Sequence, residues 1–293
     1  MLVEDNSTGK VNDETGFDTI GGMSESSKLI DGKAVAARVL DGAAAKVEKI
    51  KSHAGVTPCL ATVLVGEDPA SATYVKMKGK RCEAAGMKSL RIEMPATTDT
   101  EQLVLKITEL AEDSDVNGIL LQHPVPAGVD ERAAFEAIPR SKDVDGVTAA
   151  GLGCMWLGVP TFGSCTPAGI MTLLHEYNVE IKGKEAVVIG RSPILGKPMA
   201  AMLLEQHATV TICHSRTVDL PDVVRRADIV VAAVGRPNFV KGDWLKDGAV
   251  VMDAGYNPGN IGDCEFESCE PKASLITPVP GGVGPMTIAT LID

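Results

Sequence analysis

Cys59 to Gly66 (CLATVLVG) is a short, largely apolar run rich in β-branched residues and closed by glycine, the pattern of a buried strand. Ahead of it, residues 33–51 carry many alanines and few breakers, which predicts a helix. Behind it, Asp68 offers a capping side chain and Pro69 suits a first helical turn, so a helix is expected from there to about Ala85, ending at Gly86. Leu90 to Met94 reads as a strand, Thr100 to Ala111 as a helix and Gly118 to Gln122 (GILLQ) as a further buried strand. Strands alternating with helices predict a parallel sheet. The alternation resumes after a stretch rich in Gly, Pro and Ser near 147–166, where a boundary is expected. Thr166-Pro167 opens a helix through Tyr177. Strands follow at Ala186 to Gly190, Thr209 to Cys213, Ile229 to Val234 and Gly248 to Asp253, with helices at Pro198 to Gln206 and Leu220 to Arg226 between them.

Composition narrows the class. Hydrophobic residues make up 44% of the 293, enough for a sizeable core, but aromatics are only 3%, so aliphatic side chains and alanine must build it. The net charge of −11 argues against a nucleic-acid surface, which needs a basic face. Nearly half of that charge falls in residues 1–27, where six acids meet Lys10 alone. This arm has no apolar period and reads as a disordered tail; it lacks the features of a secretory signal or a transit peptide. No run of about 18 apolar residues predicts a membrane span. The seven cysteines are odd in number and contain no CxxC, which fits reduced thiols and a cytoplasmic setting. Cys264, Cys269 and His214 could be imagined around a metal, but small buried thiols are the plainer reading, and no metal is expected.

Candidate chemistry lies at strand ends. Val187 to Pro198 (VVIGRSPILGKP) joins a strand to a helix through glycines, which allow close approach to a pyrophosphate at a helix N-terminus. The spacing is not GxGxxG, so a plain glycine-rich turn is the alternative. The next strand ends in Cys213-His214-Ser215-Arg216-Thr217, without the acid that usually holds a ribose 2′-OH. Arg191, Ser215 and Arg216 could instead meet a 2′-phosphate, which points to NADP. Arg216 as a solvated surface residue and His214 as a structural one are the competing readings. In the first half, Tyr74 and Lys78 are four apart on one predicted helix face. Gln122 ends a buried strand, and Asp143 and Asp145 lie in Lys142-Asp143-Val144-Asp145-Gly146; strand ends in such sheets are where ligands bind.

These segments, in this order, carry a resemblance. DPAS-x-x-YVxxK at 68–78, GILLQHPVP at 118–126, KDVDG at 142–146, CTPAGI at 165–170, GRSPILGKP at 190–198 and TPVPGGVGPMT at 277–287 make Lys28 to Asp293 resemble the bifunctional methylenetetrahydrofolate dehydrogenase/methenyltetrahydrofolate cyclohydrolase family. The resemblance implies an α/β fold of two domains. One is an N-terminal αβα catalytic domain binding folate, residues 28–165 with 280–293. The other is a Rossmann-like NADP-binding domain, residues 166–279, from which the C-terminal segment returns to the first. It implies Lys78 as the catalytic lysine, Tyr74 packing on the folate, Gln122 contacting the lysine, and Asp145 holding the pterin. Gly282, Val283, Gly284 and Pro285 are expected to line the cleft. Gly190, Arg191, Ser192, Gly196, Pro198, His214, Ser215, Arg216 and Gly235 form the expected cofactor set. A homodimer through the nucleotide domain is also implied. Two departures stand out: Val147-Thr148-Ala149 where the family often has His and Asn, and Tyr256 in place of an aliphatic residue.

The implied chemistry suits the residues. Hydride loss from an N–CH₂–N carbon gives a cation delocalised over two nitrogens, so positioning beside a nicotinamide suffices. Hydrolysis of the methenyl product needs proton transfer, for which a lysine of ordinary pKa about 10.4 must be brought down by burial or neighbouring cations. The alternatives are a monofunctional NADP-dependent dehydrogenase, a non-catalytic folate or dinucleotide sensor, and another two-domain α/β dehydrogenase acting on a small acid.

Overall fold

The computed structural model describes residues 28–293, so the tail expected at 1–27 lies outside the described residues. α1 (Gly32–Ala54) starts on Asp31, whose carboxylate accepts from Ala34 N at 3.0 Å. β1 (Cys59–Val65) is buried at every position, Thr62 included, as expected of a central strand in a parallel sheet. α2 (Pro69–Ala84) is capped by Asp68, which accepts from Ser71 N at 2.7 Å. β2 (Lys88–Met94), α3 (Thr100–Glu112) and β3 (Gly118–Leu121) complete a three-stranded parallel sheet in the order β2-β1-β3. A reciprocal cap between Asp99 and Gln102 begins α3.

α4 (Glu131–Glu136) and α5 (Ala149–Trp156) follow, then α6 (Cys165–Glu176) leads into the second sheet. That sheet is formed by β4 (Glu185–Ile189), β5 (Thr209–Cys213), β6 (Ile229–Ala232), β7 (Ala249–Asp253) and β8 (Ala273–Ile276). Its order is β5-β4-β6-β7-β8, all parallel. The chain runs outward from β4 to β5 and then returns to the other side of β4, so the strand order reverses between β4 and β6. α7 (Gly196–Glu205), α8 (Leu220–Arg225), α9 (Phe266–Cys269) and α10 (Val283–Ile292) complete the fold. No helix of the described residues is long and apolar enough to cross a membrane.

The two sheets share helices. Ala61, Val63 and Ile119 pack with Leu103 and Ile107 of α3 and Phe135 of α4, while Leu60 and Leu120 pack with Ala43 of α1 and Leu291 and Ile292 of α10. Helices thus cover both faces of the first sheet. A third core joins Val35 and Ala36 of α1, Ile170 and Leu174 of α6, Val283 and Met286 of α10, and Val188, Val231 and Met252 of the second sheet. The first described residues also join that sheet: Ile30 N donates to Ile276 O at 2.9 Å and Ile276 N to Lys28 O at 2.8 Å.

The expected boundary at 147–166 contains α5. Its glycines lower helix propensity, but Thr148 caps it, accepting from Gly151 N at 3.0 Å while donating to Asp143 at 2.7 Å. Of the residues expected to line the cleft at 282–285, all but Gly282 are helical, since α10 starts at Val283. The start of α1 presses on this segment. Lys33 N donates to Gly281 O at 3.1 Å, and a Cβ on Gly32 would fall 1.8 Å from Gly282 O. Only glycine fits at residue 32.

Candidate active site

A cleft of about 950 Å³ opens between α2 on one wall and the end of β7 with residues 278–288 on the other. Tyr74, Met77, Lys78 and Arg81 project from α2; Gly255 and Tyr256 face them from the end of β7, and Gly282, Val283, Gly284 and Pro285 from the start of α10. Gln122 enters from the end of β3 and Leu195 from the turn after β4.

The helical spacing of Tyr74 and Lys78 puts both on the cleft side of α2. Lys78 is only 8% exposed, and its Nζ donates to Gln122 Oε1 at 3.1 Å. The Gln122 amide is oriented by its own donation from Nε2 to His123 O at 2.8 Å. Burial holds the Lys78 ammonium below the ordinary lysine range, with Asp145 and Cys165 opposing that shift.

Asp143 and Asp145 share a motif but not a condition. Asp143 is buried and well supplied, accepting from Val147 N and Thr148 N at 3.0 Å and from Thr148 Oγ1 at 2.7 Å. It builds the turn into α5. Asp145 is half-buried. It sits against Cys165, within electrostatic reach of Lys78. Burial pushes its carboxyl above the usual carboxylate range, against the pull of Lys78 and of hydrogen bonds from Cys165. The Cys165 thiol is itself pushed well up by burial and by Asp145. The Tyr74 phenol is raised by burial and then by Tyr256. Tyr256 is 60% exposed, and its hydroxyl donates to Asn260 Oδ1 at 2.8 Å.

The expected cofactor residues gather at the carboxyl edge of the second sheet, apart from the cleft lining. Gly190, at φ 132°, lies against the neighbouring strand end: a Cβ there would fall 2.1 Å from Ala233 O. Gly196 packs as closely on Gly190 O, at 2.2 Å from a would-be Cβ, and Pro198 is buried within α7. The Ser192 hydroxyl accepts from Leu195 N at 3.1 Å and Gly196 N at 3.3 Å, so it is already engaged with the backbone at the start of α7. Arg191, Ser215 and Arg216 are exposed, and neither arginine pairs with a carboxylate among the described residues. His214 shapes the strand-end turn: its Nδ1 accepts from Arg216 N at 3.1 Å, and its own N donates to Thr217 Oγ1 at 2.9 Å. Gly235, at φ 64°, has open space above it. A close glycine turn, a helix start and two unpaired arginines form a donor set that fits a dinucleotide carrying an extra phosphate. No cluster of His, Cys, Asp or Glu among the described residues could hold a metal ion.

The sequence reading missed Lys33, Arg81, Leu195, Asp253 and the cleft position of Tyr256. Asp253 was within reach of the rule that found Gln122, since it too ends a buried parallel strand. It accepts from Gly255 N and Asp263 N at 2.9 Å and from Cys264 N at 2.8 Å. Burial nonetheless raises its carboxyl, with those N–H groups opposing.

Residues 30–145 match the family model of the tetrahydrofolate dehydrogenase/cyclohydrolase catalytic domain, and residues 164–293 match that of the NAD(P)-binding domain of the same family. A bifunctional protein FolD of Saccharophagus degradans is 61% identical over 267 residues, covering 91% of this chain and 95% of its own. The solved FolD methylenetetrahydrofolate dehydrogenase/cyclohydrolase of Campylobacter jejuni superposes with TM-score 0.88 at 45% identity, over 90% of this chain and 95% of its own. The FolD of Trypanosoma brucei, solved with NADP and an inhibitor, gives TM-score 0.86 at 36% identity, over 90% and 94%. With both halves matched and the lysine, glutamine and glycine turns standing where the cleft and the sheet edge need them, this chain belongs to the tetrahydrofolate dehydrogenase/cyclohydrolase family.

Proposed function

We propose that the protein oxidises 5,10-methylenetetrahydrofolate to 5,10-methenyltetrahydrofolate with NADP and hydrolyses the product to 10-formyltetrahydrofolate. The observation that carries this reading is the buried Lys78 amine on Gln122 Oε1, in a cleft whose rim includes the turn after β4. NADP, when bound at the β4/β6 edge, supplies the hydride acceptor. Arg191, Ser215 and Arg216 hold its 2′-phosphate; Gly190, Gly196, Pro198, His214 and Gly235 shape its crevice, and Ser192 keeps the helix start in place.

Tyr74 packs on the folate ring system and, with Gly282 to Pro285, fixes the reacting carbon and excludes water. Asp145 accepts from the pterin. In the second step the neutral Lys78 amine takes a proton from the water that bonds to the methenyl carbon. The same proton then passes to the ring nitrogen as its bond to that carbon breaks, and the remaining hydroxyl proton leaves to solvent as the C=O bond forms, so the formyl group stays on the other nitrogen. Gln122 serves both states of the lysine, accepting from the ammonium and orienting the amine. The reading carries with it the domain limits 28–165 with 280–293 and 166–279, a homodimer through the nucleotide unit, and work in the cytoplasm, where seven free cysteines stay reduced.

The test follows NADPH formation and methenyl absorbance together on methylenetetrahydrofolate, then repeats the assay with NAD. Reduction of NADP with loss of methenyl absorbance faster than the buffer reaction is expected. Methenyl accumulation at the buffer rate would leave a dehydrogenase alone, and better use of NAD would remove the 2′-phosphate assignment.

A further inference from the structure

β6 ends in a turn, residues 233–237, whose successive N–H groups converge on one side chain. Val234 N and Gly235 N donate to Asp263 Oδ2 at 2.6 and 2.9 Å, and Arg236 N donates to Asp263 Oδ1 at 2.9 Å. Asn257 Nδ2 adds a fourth bond to Oδ1 at 3.0 Å. Asp263 is 0% exposed and has no place in the cleft lining. It is also gripped by its backbone: its N–H donates to Asp253, and its carbonyl accepts from Val240 N at 2.9 Å.

Consecutive N–H groups in a tight turn make a concavity for an anion. Here the protein fills that concavity from inside with its own carboxylate. The turn stands at the β4/β6 reversal, where parallel sheets of this kind bind their ligands. It also forms the surface on which Gly190 is pressed, through Ala233 O. The internal carboxylate therefore does two things. It denies this nest to an outside phosphate, leaving the pyrophosphate to the Gly190 turn and the start of α7. It also holds the β6-end turn in one shape before any ligand arrives.

We infer that Asp263 is a positioning residue for the dinucleotide, fixing the second wall of its crevice from behind without touching it. The inference rests on the function proposed above. Each carboxylate oxygen accepts two bonds, so Asp263→Asn must place an amide N–H₂ against two donors whichever way it turns.

The test uses the two activities as internal controls, because hydrolysis of supplied methenyltetrahydrofolate needs no NADP. For Asp263→Asn the KM for NADP should rise about tenfold, the cost of a lost bond to a charged group. The KM for methylenetetrahydrofolate and the hydrolysis rate should stay within about twofold of the parent. Asn257→Ala keeps the three turn bonds and should raise the NADP KM only about twofold. An unchanged NADP KM in Asp263→Asn overturns the inference. So does a parallel loss of both activities with a lowered Tm, which would make Asp263 a support of the whole fold. If Asp263→Asn does not fold, Asn257→Ala decides alone: a raised NADP KM with hydrolysis intact supports the inference, and an unchanged one overturns it. A parent that turns over neither folate refutes the proposed function instead; NADP affinity by calorimetry, parent against variant, then decides this inference separately.

Discussion

Asp145 beside Lys78 and Asp263 beneath the β6-end turn both occupy interior corners near the ends of parallel strands. Asp263 is met by three backbone N–H groups and an amide, whereas Asp145 has Cys165 for a donor and a buried lysine within reach. Desolvation of a charged group is costly unless hydrogen bonds replace the lost water. Asp263 meets that cost with four hydrogen bonds, which hold the turn around it. The folate corner meets it in part, and the remainder appears as a lysine displaced downward and a carboxyl displaced upward. A buried acid with its full set of donors builds the site; one left short of them is available to a ligand.

That contrast can be broken by substitutions that should affect one corner and spare the other. The largest effect belongs to Lys78→Met, which keeps most of the stem and deletes the amine. Methenyl hydrolysis should fall about 10²–10⁴-fold, the usual worth of a general acid–base group. The dehydrogenase, which loses only positioning, should fall less. In the parent, hydrolysis should rise with pH as the neutral amine forms, levelling below the ordinary lysine range because burial lowers Lys78. The variant should lose that rise, and parent-rate hydrolysis in Lys78→Met would remove the lysine from the chemistry.

Asp145→Asn should weaken folate binding about tenfold, as expected for losing a charged hydrogen-bond acceptor. Calorimetry should show NADP affinity little changed. The same variant tests the electrostatics. A carboxyl raised on folding binds its proton more tightly in the folded state, so its contribution falls as pH rises through the interval above the ordinary range. At neutral pH the ionised group costs stability, so Asp145→Asn should raise Tm there. The gain should vanish in acid, where both states are protonated. A lowered Tm at neutral pH would place Asp145 with Asp263 among the satisfied acids.

The smallest effect is expected from Arg191→Ala, which should raise the KM for NADP by about tenfold or less and leave that for NAD nearly unchanged. Equal loss with both cofactors would assign Arg191 to the pyrophosphate in place of the 2′-phosphate.

Much of this architecture was legible where pattern and punctuation agree. The seven-residue, largely apolar run of β1, the Asp68–Pro69 start of α2 and the strand–glycine–helix order around Gly190 each rest on local physics, and each stands within a residue or two of its expected place. α9 and β8 were not legible: each has four residues and, unlike the equally short and wholly buried β3 and β6, neither carries a continuous apolar run. α5 was hidden because its stability comes from Thr148 and Asp143 rather than from propensity. At the site, position alone put Lys78 on a helix face and Gln122 at a strand end, and the family resemblance paired them. The Asp253–Asp263 network could not, because its donors come from the end of β6 and from loop residues 255–264, which meet only through packing. Tyr256 registered only as an odd substitution until the fold turned it toward the cleft.

α10 lines the cleft with its first turn and packs into the cores beneath both sheets. During synthesis, chains emerge from the N-terminus at about 5–20 residues per second, and early units begin to fold first. The first sheet is complete by Leu121, with Tyr74 and Lys78 before it and Gln122 next to it, yet the facing wall of the cleft begins only at the end of β7, more than 130 residues further along the chain. A nascent chain therefore carries Lys78 for most of its translation without the cleft that faces it. Chains released early, before Val283, carry no finished cleft, and activity reports only on chains translated through that helix.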